Sequence, residues 1–140
     1  MEFVPNFRRK VMGRCVVSFN QRVQVQSEPD IDAAIFDVSH FVRQTYGERG
    51  LQQEILQLFL TQIGDLRRAL EARQFLVSWV YLTHTLKGAS AAVGATGLMQ
   101  MAVRWEAEPT PADDGTFRAL LDEFDSHCSA FRLAAAAFMA

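Results

Sequence analysis

Thr83-His84-Thr85-Leu86-Lys87-Gly88-Ala89-Ser90 lies inside a longer run, Gln74 to Gly94, whose large apolar residues recur at helical spacing. Phe75, Trp79, Leu82, Leu86, Ala89 and Val93 share one face of an α-helix, the face that other helices must cover. His84 stands about 160° from Leu82 and Leu86 on the same wheel and therefore points to solvent. Beside it lie Val77, Val80, Lys87, Gly88 and Ala91, because residues three and four apart are neighbours on a helix. A nucleophilic ring, a positive charge and a gap without a side chain thus meet on one exposed face. Lys87 supplies charge where an anion can sit on the ring. Gly88 leaves room for another protein. A mid-helix glycine costs roughly 1 kcal/mol relative to alanine, so its presence needs a reason. Close approach by a partner supplies one.

Outward from this helix the pattern stays helical. Asp37 reads as the N-cap of a short helix, Val38 to Tyr46, that ends at Gly47. A longer helix follows from about Gly50 to Arg73, with the stripe Ile55, Phe59, Ile63, Leu66 and Leu70. Gln74 and Phe75 begin the histidine helix, and Gly94 and Gly97 bracket its end. A shorter helix, about Thr96 to Ala107, turns Leu98, Met101, Ala102 and Trp105 inward and is stopped by Pro109 and Pro111. The last helix runs from about Pro111 to Phe138. Its stripe of Phe117, Leu121, Phe124, Cys128, Phe131, Ala135 and Phe138 alternates steps of four and three, a heptad seam. Short connections make successive helices antiparallel neighbours. The expected fold is all-α: an up-down-up-down four-helix bundle over 31–140, with a short N-terminal lead-in helix. Residues 1–30 form an irregular N-terminal extension, extended or disordered. It is weakly strand-like at Val16-Val17-Ser18-Phe19 and Val23-Gln24-Val25-Gln26, and Pro29, Asp30 and Asp32 mark its boundary.

Composition narrows the function classes. A chain of 140 residues, 49% apolar and 21% charged, fits one soluble domain with a sizeable core. A net charge of -2 gives no reason to expect nucleic acid or an anionic membrane as partner. Lys10 and Lys87 are the only lysines among 14 basic residues, so a lysine beside His84 stands out. Cys15 and Cys128 fit neither a metal spacing nor a disulfide framework and read as reduced thiols of a cytoplasmic protein. No apolar run approaches the ~20 residues of a membrane span. The basic cluster Arg8, Arg9, Lys10 and Arg14 is followed by an apolar run too short for a signal peptide. His40 and His127 lack a lysine or glycine at helical spacing and read as structural or solvated residues. No metal site is expected, since no histidine pair has i, i+4 ligand spacing.

The run His84-x-Leu86-Lys87-Gly88, with small residues after it and the later Gly94, resembles the signature of the histidine-containing phosphotransfer (HPt) domain family. The resemblance extends from about Ile35 to the C-terminus, and the order of helices fits, with the histidine on the second of the four long ones. It implies a phosphorelay intermediate of two-component signalling. His84 would accept a phosphoryl group from a receiver-domain aspartate and pass it to another receiver, Lys87 would stabilise the phosphoryl oxygens, and Gly88 would allow close approach. A neutral imidazole nitrogen is nucleophilic, and phosphoryl transfer needs in-line placement and charge stabilisation above all. The chain has no phosphate-cradling Gly-rich loop and no nucleotide domain, so no kinase activity of its own is expected. The resemblance implies no cofactor on this chain, with magnesium in the partner receiver. Partners would be response-regulator receivers and a hybrid or cognate sensor kinase, with the chain a monomer or, alternatively, a dimer.

Leu76, Val77, Val80, Tyr81 and Leu82 precede His84 where such domains often carry charged or small residues. Val77, Val80 and Ala91, within about 40° of His84, form an exposed apolar strip read as the receiver-docking surface. Homodimerisation, or cover by the N-terminal arm, is the alternative. Of the nearby hydroxyls, Ser90 lies about 120° from His84 and is expected to bond within the bundle. Two other functions compete. One is a receiver-binding module of the same fold that carries no phosphate, against which the joint presence of His84, Lys87 and Gly88 counts. The other is the dimerisation helix pair of a sensor kinase, whose histidine is followed by an acidic residue, whereas Thr85 follows here.

Overall fold

The computed structural model describes residues 30–73 and 79–140. The chain divides into Met1–Asp30 and Ile31–Ala140, and the second unit carries the fold described below. Its described residues form five helices and no strand: α1 Val38–Gln44, α2 Arg49–Glu71, α3 Trp79–Val93, α4 Thr96–Glu106 and α5 Asp114–Met139. The strand-like stretches expected at residues 16–26, and the expected start of the histidine helix at Gln74, lie outside the described residues.

Local chemistry sets the helix ends. The Asp37 carboxylate accepts the backbone N–H of His40 at 3.1 Å and caps α1 as expected. α1 ends at Gln44, two residues sooner than the pattern indicated. The Thr45 hydroxyl donates back to the Phe41 carbonyl at 2.8 Å, and Tyr46 follows with φ of 54°. α5 starts at Asp114 rather than near Pro111, because the Asp113 side chain accepts from the Thr116 backbone N–H at 2.8 Å. Pro111 belongs to the connection, where its ring imposes no penalty on the helix.

The helices close into a ring. α3 packs on α4 most extensively, α2 on α3 and on α5, and α4 on α5, while α1 lies against α3. Bonds between α2 and α5 pair Arg49 with the Phe138 carbonyl and Arg67 with Asp125, and just past the end of α2 Arg73 pairs with Asp114. Numbers rise on one helix as they fall on the other, so α2 and α5 run antiparallel. The same holds for α4 and α5, where Gly97 lies by His127 and Arg104 by Glu123.

The core has two aromatic ends. Phe36 meets Phe41, Phe131 and Phe138, and Phe59 meets Phe131, mostly edge to face. At the other end Trp79 stacks on Trp105 and Phe124 meets Trp105 edge-on. Fully burying each such side chain contributes roughly 1.5–3 kcal/mol. The stripes of α4 and α5 are as the sequence spaced them, with Leu121 and Phe138 half-buried. The stripe of α2 is rotated. Gln52, Leu56, Phe59, Ile63 and Leu70 are buried, while Ile55 and Leu66 are half-buried. Gln52 is polar and so escaped the apolar pattern. It is buried because its amide donates to the Thr45 hydroxyl at 3.1 Å.

Candidate functional site

Two tryptophans set the geometry around His84. Trp79 opens the described part of α3, and its indole N–H donates to the carbonyls of Trp105 and Glu108, each at 3.1 Å. Its ring stacks on Trp105 with centroids 5.6 Å apart. The Trp105 indole in turn donates to Glu123 of α5 at 3.1 Å. These contacts fix the end of α4 against the start of α3. They also fix its rotation, so that Glu106, the next residue, faces outward beside His84.

His84 is where the helical wheel put it. Leu82 and Leu86 are buried behind it, and its own side chain is 69% exposed. Nδ1 of His84 lies 3.3 Å from Oε2 of Glu106, and Nζ of Lys87 donates to Oε1 of the same carboxylate at 2.7 Å. A carboxylate can only accept, so this contact requires hydrogen on Nδ1 and leaves the lone pair of a neutral ring on Nε2. Hydrogen bonding from Lys87 is the main effect that holds the Glu106 carboxyl below the usual carboxylate range; burial opposes it, and the His84 hydrogen bond adds to the lowering. Lys87 is therefore ion-paired in this structure.

The two glycines differ in kind. A Cβ at Gly88 would meet nothing within 4 Å, and its backbone is ordinary helix. Neither conformation nor internal packing demands glycine there, so what it spares is space outside the molecule. Gly94 takes φ of 86°, and a Cβ there would meet the Asp37 carbonyl at 2.8 Å. It stops α3 and lets α1 pack against that end.

Beside the Lys87–Glu106 pair, α3 also exposes apolar side chains. Val80 is 61% exposed and Ala91 is exposed, whereas Val77 lies outside the described residues. Tyr81 and, from α4, Val103 are also exposed. Val103 stands one turn before Glu106 on the same face of α4.

Ser90 departs from expectation. It is buried, but its hydroxyl has no hydrogen-bond partner among the described residues. It lines a small cavity of about 170 Å³ with Asp37, His40, Gly94, Thr96 and Met99, which brings no acceptor within reach. Thr83 bonds internally instead, donating to the Trp79 and Val80 carbonyls at 3.0 and 3.1 Å.

The other histidines are tied into the fold. His40 Nε2 lies 3.2 Å from the Ala92 carbonyl, and the His127 ring packs over Gly97 with Nε2 3.8 Å from Glu123. Among the described residues no three ligating side chains cluster as a metal site, and no helix is long and apolar enough to cross a membrane.

The sequence reading missed Glu106 and Val103. Periodicity identifies the inward face of α4 but carries no rule for which outward residue will stand beside His84. The one available signal was an acidic residue directly after the helix's buried tryptophan.

The Hpt domain model matches residues 51–130, more than half the chain, and the chain belongs to the Hpt domain family. Comparison with curated proteins and with solved structures returned no match. Hpt domains are phosphotransfer modules of two-component signalling rather than kinases, and they work with response-regulator receiver domains. The matched span holds His84, Lys87, Gly88 and Glu106.

Proposed function

We propose that this chain is a phosphorelay intermediate that carries a phosphoryl group on Nε2 of His84. It accepts the group from a receiver-domain aspartate and gives it to another receiver. The observation that carries the reading is the setting of His84: an exposed ring on the outer face of α3 whose Nδ1 lies 3.3 Å from the Glu106 carboxylate, a contact that leaves Nε2 as the nucleophilic nitrogen of a neutral ring. His40 and His127 are engaged with the fold. Lys87 is one turn away and steadies the phosphoryl oxygens. Gly88 admits the receiver, and Val77, Val80 and Ala91, joined by Val103, form the surface it docks on. The phosphorylatable aspartate and its magnesium belong to the receiver, which shares the reaction with a hybrid or cognate kinase.

Labelled phosphoreceiver mixed with purified protein tests this directly. Label is expected on the wild type, and on His40→Gln and His127→Gln. It is expected to be absent from a folded His84→Gln. Acid-labile label on His84→Gln would remove His84 from the role. No transfer to the wild type from any receiver would instead favour a binding module of the same fold.

A further inference from the structure

Charge is unevenly spread over the bundle, and the unevenness falls on the side away from His84. α2 and α5 meet along a seam that lies across the ring from the α3–α4 pair. Three depressions of about 440, 330 and 400 Å³ follow this seam in succession, the first two sharing Arg67 as a wall and the last two Arg132. Six basic residues line them: Arg49, Arg67, Arg68, Arg73, Arg118 and Arg132. Against these stand four acidic residues, Glu71, Asp114, Asp122 and Asp125. The remainder of 31–140 holds three basic and nine acidic residues. The seam is thus a positive stripe on a negative domain. We propose that this groove docks an acidic amphipathic helix of another protein.

The arginines are not equally committed. Arg67 is paired with Asp125 and Glu71, Arg68 with Asp65 and Arg73 with Asp114, and Arg49 donates to the Phe138 carbonyl. Arg118 and Arg132 are exposed and make no hydrogen bond or ion pair among the described residues. They stand fourteen residues apart on α5, close to four turns, so they leave the helix on one side and about 21 Å from one another. A helix laid along the groove meets both with acidic residues at that same spacing. Beyond Arg132 the groove turns apolar, where Leu56 and Leu60 of α2 face Ala135 and Met139 of α5. That floor takes the apolar face of the docked helix. The 26 residues of α5 offer about 39 Å of wall, enough for a partner helix of similar length.

Charge also decides against two other occupants. A second copy docked through the same groove would set one positive stripe against another. Residues 1–30 of this chain hold five basic and three acidic residues, the same sign as the groove. Like charges set face to face cost affinity and suppress the pairing.

The test titrates the nitrogen-labelled full chain with a synthetic helical peptide. The peptide has two glutamates fourteen residues apart and leucines in the turns beyond the second. Amide shifts are expected along α2 and α5 and not at His84. Arg118→Glu combined with Arg132→Glu, both at exposed positions, should weaken binding at least about tenfold. A peptide with lysines in place of the two glutamates should bind that variant and not the wild type. No shifts in α2 and α5, equal binding of a scrambled peptide, or an affinity unmoved by the charge reversal overturns the proposal. So does a chain that ignores the peptide but binds phosphatidylserine vesicles, or sediments as a dimer, through the same two arginines. These readings do not depend on whether His84 takes up a phosphoryl group, so their failure is distinct from failure of the proposed function.

Discussion

Lys87 and Gly88 occupy adjacent positions, yet different physics decides what happens when each is changed. The ammonium of Lys87 is partly exposed and bound to one carboxylate. Lys87→Ala is therefore expected to slow transfer markedly while moving stability by less than about 0.5 kcal/mol. Transfer kinetics beside urea titration will show whether the two effects separate; equal transfer rates would exclude Lys87 from the site. Gly88 faces open space, so a longer side chain meets no obstacle within the protein. Gly88→Gln is expected to raise helix stability by up to about 1 kcal/mol. The same change should abolish transfer from a receiver while leaving small-molecule phosphorylation of His84 intact. A Gly88→Gln protein that still exchanges normally with a receiver would show that no partner comes close at this position.

At the scale of the element, α3 and α4 act as one unit locked by the Trp79–Trp105 stack. The docking surface proposed above therefore draws on both helices, with exposed Val80 from α3 and exposed Val103 from α4. Interface energy concentrates in a few desolvated contacts. Val80→Asp should weaken receiver binding by more than about 1 kcal/mol without unfolding the bundle. Calorimetric titration with circular dichroism decides the matter, since unchanged affinity would take Val80 out of the interface. α1 is the contrasting case. Its cap is Asp37, and losing an N-cap costs about 1 kcal/mol. Asp37→Ala should lower stability by that amount yet leave His84 phosphorylation by phosphoramidate unchanged, because α1 meets α3 at the Gly94 end. A loss of phosphorylation in the folded variant would show that α1 sets the site as well as the fold.

For the whole molecule, hydrogen-bonded and ion-paired carboxyls couple stability to pH at the acid end of the scale, and a buried thiol does so at the alkaline end. Among the described residues four carboxyls titrate below their ordinary values: Glu106 through Lys87, Asp113 through the Thr116 backbone N–H, Asp125 through Arg67, and Glu123, where burial opposes the shift, through Arg104 and Trp105. Each folded-state value is depressed, so the unfolded chain takes up protons first as pH falls. Their contribution is complete above the ordinary carboxyl values of 3.8 to 4.5 and drains away below them. Burial, the largest effect on the Cys128 thiol, pushes it from 9.0 up to about 12. That value is raised, so its contribution is complete below pH 9 and is lost as pH climbs towards 12. Urea midpoints are expected to be flat between about pH 5 and 9 and to fall on both sides. Replacing Cys128 with alanine should lower the plateau and flatten the alkaline limb. An alkaline limb unchanged in that variant would assign it to other groups.

Much of this was written in the order of residues. The apolar steps of three and four in α3, α4 and α5 follow from 3.6 residues per turn, and they turned His84 outward before any neighbour was known. Asp37 and Gly94 marked helix ends for reasons that are equally local: a carboxylate that accepts a free N–H, and a backbone without Cβ that can take positive φ. The family signature around His84, Lys87 and Gly88 is local too. The buried arc of α2 was not legible from apolar residues alone. Gln52 enters the core only because Thr45, seven residues away, offers it an oxygen. Glu106 was out of reach for the same reason, since its place depends on how α4 is rotated. That rotation comes from a tryptophan stack between two helices and an indole bond to a third. Periodicity fixes which way a side chain leaves its own helix. Only packing fixes which side chain of another helix it meets, and here that meeting brings His84, Lys87 and Glu106 together.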